Sequence, residues 1–136
     1  MDKLEYIPGD LVKFATNTYT IVNFEENFLH SKVCYALVST NSTKTALVAD
    51  RDILPIPLTP EILEKNGWKT FIEQHDFRYA FKIDDLCYLV VMTGFLDGIR
   101  VFIRKGTIYN KLRTLKYVHQ LQHLLFGLGI NSEMEV

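Results

Sequence analysis

Cysteine is scarce in this chain. Cys34 and Cys87 are the only two, and each sits in an apolar run where a free thiol serves as a small hydrophobe. A disulfide framework is therefore not expected to staple the fold. Long apolar runs are missing as well: the longest, such as Leu86 to Met92, fall far short of the roughly 20 residues of a membrane-spanning helix. The opening MDKLEYIPGD has no apolar signal core. These absences predict a cytoplasmic protein with no membrane partner.

Catalytic signatures are equally thin. There is no G-x-S-x-G elbow, no P-loop and no G-x-G-x-x-G, and the glycine pair Gly127 and Gly129 falls at a helix C-terminus, the wrong end for phosphate. Asp84 and Asp85 are adjacent, so in a strand they point to opposite faces, and they read as a solvated turn. Neither cysteine has a cationic sequence neighbour to stabilise a thiolate. The expectation is a protein without a catalytic site and without a cofactor.

What is present is material for a core. The 48% hydrophobic and 23% charged content of the 136 residues is that of a globular chain. Leu11 to Phe14, Tyr19 to Phe24, Val33 to Ser39, Thr45 to Val48 and Ile53 to Ile56 are rich in β-branched and aromatic residues. Gly9-Asp10, Asn17-Thr18 and Asn41-Ser42 supply turn chemistry between them. Five short strands with a tight turn before the last predict a small SH3-like β-barrel over residues 1–57, with a partly open five-stranded sheet as the alternative.

Pro55 and Pro57 cannot donate to a ladder, so the segment Ile53 to Pro60 divides the chain. Beyond it, residues 58–136 are expected to form an α+β unit. Thr59 is placed as an N-cap, Pro60 at the first helical position, and Asn66-Gly67 as the stop. Ile62 and Leu63 should anchor this short helix, with Trp68 packed beneath its exit. Phe77 to Ile83 then alternates with Arg78 and Lys82 on the polar face. Leu86 to Met92 is apolar on both faces and belongs in the centre of a sheet. Ile99, Val101 and Ile103 alternate with Arg100 and Arg104 after the hairpin signal Asp97-Gly98. An antiparallel meander follows, with Lys105 to Lys116 as a loop. A helix from about Leu115 to Leu128 should cover the sheet with Val118, Leu121, Leu125 and Leu128, widened by Tyr117 and Leu124, leaving Lys116, Gln120 and Gln122 to solvent.

Two features could bind something. His119 and His123 stand at i and i+4, the spacing a metal needs, in a string one residue away from H-E-x-x-H. Gln120 replaces the glutamate, and an amide cannot act as the general base of a zinc hydrolase. These histidines are read as partly exposed residues flanking the apolar stripe, with no metal site assigned. The second feature is charge. Residues 98–132 contain Arg100, Arg104, Lys105, Lys111, Arg113 and Lys116 and no acid, whereas the whole chain carries a net charge of -1. With Phe102, Tyr109 and Tyr117 interleaved, the basic stretch 100–116 could hold a nucleic acid backbone.

The strings IPLTPEILEKNGW (Ile56 to Trp68) and YVHQLQH (Tyr117 to His123) resemble a family of small uncharacterised proteins of Bacteroides-type bacteria and their phages or mobile elements. The resemblance implies a proline-led helix, a few strands and a C-terminal helix in a bacterial or phage cytoplasmic setting, and it brings no activity. The leading expectation is a non-catalytic interaction protein with a protein partner. The alternative is a nucleic-acid-binding accessory protein.

Overall fold

The computed structural model describes residues 6–27, 32–39, 45–70 and 78–136. It is α+β: two antiparallel five-stranded sheets and two helices. The first sheet comprises β1 (Leu11–Phe14), β2 (Asn17–Asn27), β3 (Lys32–Ser39), β4 (Thr45–Ala49) and β5 (Ile53–Pro55), in the order β4-β3-β2-β1-β5. A 3-10 turn, Asp50–Asp52, precedes β5. The edges β4 and β5 do not pair with each other among the described residues, so the expected barrel does not close. The first hairpin turns earlier than Asn17-Thr18 suggests. Phe14 pairs with Asn17, and the turn is Ala15-Thr16, with Ala15 at a φ of 54°. The Asn41-Ser42-Thr43 turn lies outside the described residues.

The second sheet is the expected meander of β6 (Lys69–Thr70), β7 (Tyr79–Asp84), β8 (Cys87–Phe95), β9 (Gly98–Lys105) and β10 (Ile108–Leu115), in sequential order with β8 central. The Asp84 carboxylate accepts from Leu86 N–H at 2.9 Å and shapes the β7–β8 turn. The span Lys105 to Lys116 is not a loop. Its strand β10 escapes the period-two pattern because a bulge between Lys111 and Arg113 inserts Leu112, shifting the alternation midway. Gly98 opens β9 at a φ of 128°, and a Cβ there would lie 2.4 Å from the Leu115 carbonyl oxygen, so this close strand approach requires glycine.

Helix α1 (Pro60–Lys65) starts as expected: Thr59 Oγ1 accepts from Ile62 N–H at 3.3 Å, and Pro60 occupies the first turn. Leu63 and Trp68 are buried. The chain end returns to this helix, where Asn66 exchanges two hydrogen bonds with the backbone of Glu135.

The proline segment is more than a divider. Leu58 N–H donates to the Lys116 carbonyl at 2.9 Å, and Val118 N–H donates to the Ile56 carbonyl at 2.8 Å, around a bridge between Pro57 and Tyr117. In this register the position facing Tyr117 needs no donor, so Pro57 fits without loss. The segment is thereby tied to the chain entering helix α2 (Val118–Gly127).

Helix α2 is shorter than Leu115 to Leu128, because Leu115 ends β10 and Leu128 is the C-cap, 39% exposed. Val118, Leu121, Leu124 and Leu125 join Leu89, Val91, Ile99, Val101 and Leu115 in one core, which also takes Leu11 from the first sheet. The neighbouring Val12 faces a separate core of Tyr6, Ile21, Tyr35, Leu37, Val48 and Ile53. The start of strand β1 is thus buried on both faces, Val12 inside its own sheet and Leu11 against α2.

Candidate functional site

Strand register assembles the basic residues into an array that sequence order conceals. In an antiparallel sheet, directly opposed residues share a face. Ile99, Val101 and Ile103 of β9 point into the core, so Arg100, Phe102 and Arg104 form the outer face. Opposite Arg104 stand Tyr88 on β8 and Tyr109 on β10, and Lys82 on β7 lies beyond Tyr88. Opposite Phe102 stand Val90 and Lys111, with Ala80 beyond Val90 and Lys69 beyond Ala80. Opposite Arg100 stand Met92 and Thr114, while Arg78 lies off this register, its N–H donating at 2.9 Å to the carbonyl of Val91, the partner of Tyr79. These three cross-strand rows hold Lys69, Lys82, Arg100, Arg104 and Lys111, and no aspartate or glutamate.

Two of those cations, Lys69 and Lys82, come from the part of the chain whose summed charge is negative, so the stretch 100–116 does not delimit the surface. Conversely, Lys105 pairs with Cys87 and Ile108, and Arg113 with Val101, positions of the opposite parity. Lys116 lies at the exit of β10, lining a cavity of about 220 Å³ with Leu58, Pro60, Phe95 and Ile99. Tyr117 is also elsewhere, stacked on His119 at the start of α2. Of the nucleic-acid candidates, Arg100, Arg104 and Lys111 share the face, while Lys105, Arg113 and Lys116 are exposed off it.

Two carboxylates pair with the ends of the array. Asp85 meets Lys82 at 3.0 Å and Asp97 meets Arg100 at 3.5 Å. The Lys82–Asp85 pair is solvent-exposed and worth little against a polyanion, whereas Arg100 is half-buried. Arg100 is also held flat on Phe95, its guanidinium carbon 3.8 Å from the ring centroid, and Arg104 lies 5.7 Å from the Tyr109 centroid.

The histidine pair belongs to a different place, where α2 meets β1. His119 is 2% exposed, packed edge-on to Tyr6 with centroids 4.9 Å apart, and is not a partly exposed flank. His123 is half-buried, and its Nε2 lies 2.7 Å from Asp10 Oδ2. Gln122, expected in solvent, is 3% exposed. Its Oε1 accepts from Leu11 N–H at 2.8 Å, and its Nε2 donates to the carbonyls of Gly9 at 3.0 Å and Ser132 at 3.1 Å. Gln120 is also engaged, its Oε1 accepting from Lys116 N–H at 2.8 Å and Tyr117 N–H at 3.1 Å, which closes the helix start. Gln120 at the third helical position was a readable capping signal. Gln122 was readable too, standing four residues after Val118 on the apolar stripe. Among the described residues no three of His, Cys, Asp and Glu gather as a metal would need. Cys34 and Cys87 are half-buried rather than fully enclosed.

Asp10 gives the junction a pH dependence. Burial raises its carboxyl above the ordinary 3.8, and the Ile7 N–H bond at 2.9 Å and His123 only partly offset this. The folded state therefore holds this proton to higher pH than the unfolded state does, so the stability it adds is present at low pH and falls as pH rises through the window above 3.8. Asp10→Asn keeps an acceptor for Ile7 and removes the ionisation. Urea midpoints measured from acid to neutral pH should show a shallower decline in that window for the variant. An unchanged slope would show that Asp10 does not carry it.

No protein-family model matches this chain, and neither a curated protein nor a solved structure matches it. No helix among the described residues is long and apolar enough to cross a membrane.

Proposed function

We propose that this protein is a non-catalytic interaction protein that holds an anionic chain, a nucleic acid backbone, on the outer face of its second sheet. The observation that carries the reading is the three-row array of Lys69, Lys82, Arg100, Arg104 and Lys111 without an intervening acid. Neutral residues separate the cations within each row and Arg104 and Lys111 are diagonal neighbours, so their fields sum over the face into one that favours a polyanion. A backbone phosphate chain matches a row of cations better than a protein surface does, because each neutralised phosphate also releases counterions. The first sheet serves as the support, read here as an SH3-like unit. Its strand order β4-β3-β2-β1-β5 and the 3-10 turn before β5 favour that reading. A cytoplasmic bacterial or phage setting rests on the sequence resemblance alone.

Charge reversal tests the proposal. Labelled oligonucleotide should bind with an affinity that falls steeply with salt, by roughly 0.7 to 0.9 in logarithmic slope per phosphate contact. Lys82→Glu, which lies outside the basic stretch, should weaken binding and flatten the slope as much as Lys111→Glu, by roughly one contact or more each. Lys105→Glu and Lys116→Glu, off the face, should do markedly less. Equal losses from all four would place binding on the stretch rather than the sheet, and salt-independent binding would refute a phosphate partner.

A further inference from the structure

We infer that the ligand of the outer sheet face is single-stranded nucleic acid, taken by its bases as well as its phosphates. The inference rests on the polyanion reading and adds to it what the rings on the same face would do. Tyr88, Arg104 and Tyr109 occupy one cross-strand row on β8, β9 and β10, and Phe102 stands in the next row, diagonal to both tyrosines. All three aromatic residues are half-buried. Neighbouring strands are about 4.8 Å apart and diagonal neighbours about 7 to 8 Å, within reach of large side chains. The rings therefore form a patch with Lys82 at one margin and Lys111 at another.

A duplex has little use for such a patch. Its bases are stacked inside and reached only through grooves that admit a helix or a narrow ribbon. A five-stranded sheet meets its phosphate cylinder along a line. Inorganic polyphosphate would use the cations and leave the rings idle. A single strand can turn unstacked bases onto the rings while its phosphates lie along the flanking lysines and arginines, and every base has a face that stacks. The Arg104 guanidinium lies over the Tyr109 ring, 5.7 Å from its centroid, with Nε donating to the Gly106 carbonyl at 2.8 Å, and so sets a cation at the ring on which a base would stack. Three rings suit about two or three bases, so the footprint should be short.

The test uses the full chain and three probes: a labelled mixed-sequence single strand, the same strand in a duplex, and inorganic polyphosphate as competitor. The expected result is at least tenfold tighter binding of the single strand than of the duplex. Tyr88→Leu with Tyr109→Leu should lower single-strand affinity about tenfold or more, the loss of one or two stacked bases, and leave polyphosphate competition unchanged. A thermal melt of the double variant shows that it is folded, and each single variant serves if the pair is not. Equal affinity for single strand and duplex, or ring variants without effect, would overturn this inference while leaving the polyanion surface standing. Failure of every probe to bind in a salt-sensitive way would overturn both.

Discussion

Truncation before Leu115 should abolish cooperative unfolding. The deleted segment carries Leu115, Val118, Leu121, Leu124 and Leu125, all buried in the core that the second sheet shares with Leu11, Leu63 and Trp68. At about 1.5 to 3 kcal/mol for each buried large apolar side chain, their loss removes about 8 to 15 kcal/mol, as much as the entire stability of a typical domain. The damage is not confined to the second sheet. Leu58 and Ile56 lose their backbone partners at Lys116 and Val118, and Leu11 N–H loses Gln122. Circular dichroism melts together with dye binding to exposed apolar surface would measure this. A truncated chain that still melts cooperatively near the full-length temperature would show that α2 is an accessory and not the element that closes the second sheet's core against β1.

Gln122→Leu should be the most costly single substitution at the junction between the sheets. Leucine matches the side chain in bulk, so the change isolates the hydrogen bonds from the packing. It leaves the buried Leu11 N–H without its acceptor and takes a donor from the Gly9 and Ser132 carbonyls. An unsatisfied buried backbone group costs about 1 to 3 kcal/mol, so a loss of about 3 kcal/mol is expected. For a chain of this length that corresponds to a fall in Tm of about 10 °C. Gln120→Leu is the comparison: its amide closes an accessible helix start, and its loss should cost about 1 kcal/mol. If both variants melt alike, Gln122 is not the tie between α2 and β1.

Both expectations come from one structural circumstance, a helix buried on two sides. Read as a helix covering one sheet, α2 needs one apolar stripe, and Val118, Leu121 and Leu125 supply it. The remaining positions then look like solvent positions because they are polar. The first sheet occupies that second side. His119 packs on Tyr6, Gln122 spans to Leu11 and Gly9, and His123 reaches Asp10. Gln122 is polar there because the Leu11 N–H and the Gly9 carbonyl at the start of β1 need partners, which its amide supplies. The i, i+4 histidines are therefore spaced by their helix for two different neighbours.

Local chemistry determined the elements. Thr59-Pro60 starts a helix wherever it stands, Asn66-Gly67 stops it, and the alternation of Ile99, Val101 and Ile103 with arginines makes a half-buried strand, because capping, φ restriction and side-chain period act within a few residues. Sequence alone was thus sufficient for an α+β chain with a meander and a closing helix. It was insufficient for β10, whose bulge breaks the period, and for the barrel, since closure depends on whether two distant edge strands meet. The basic surface shows the same division. The sequence displayed a run of cations from Arg100 to Lys116, but proximity along a chain is not proximity on a face. Only register, which sets Lys82 and Tyr88 in line with Arg104 and carries Lys105 and Arg113 away from it, decided which charges act together. A pleat reverses direction at every residue, whereas a sheet aligns residues twenty or more positions apart, so the charge array exists only in the folded molecule.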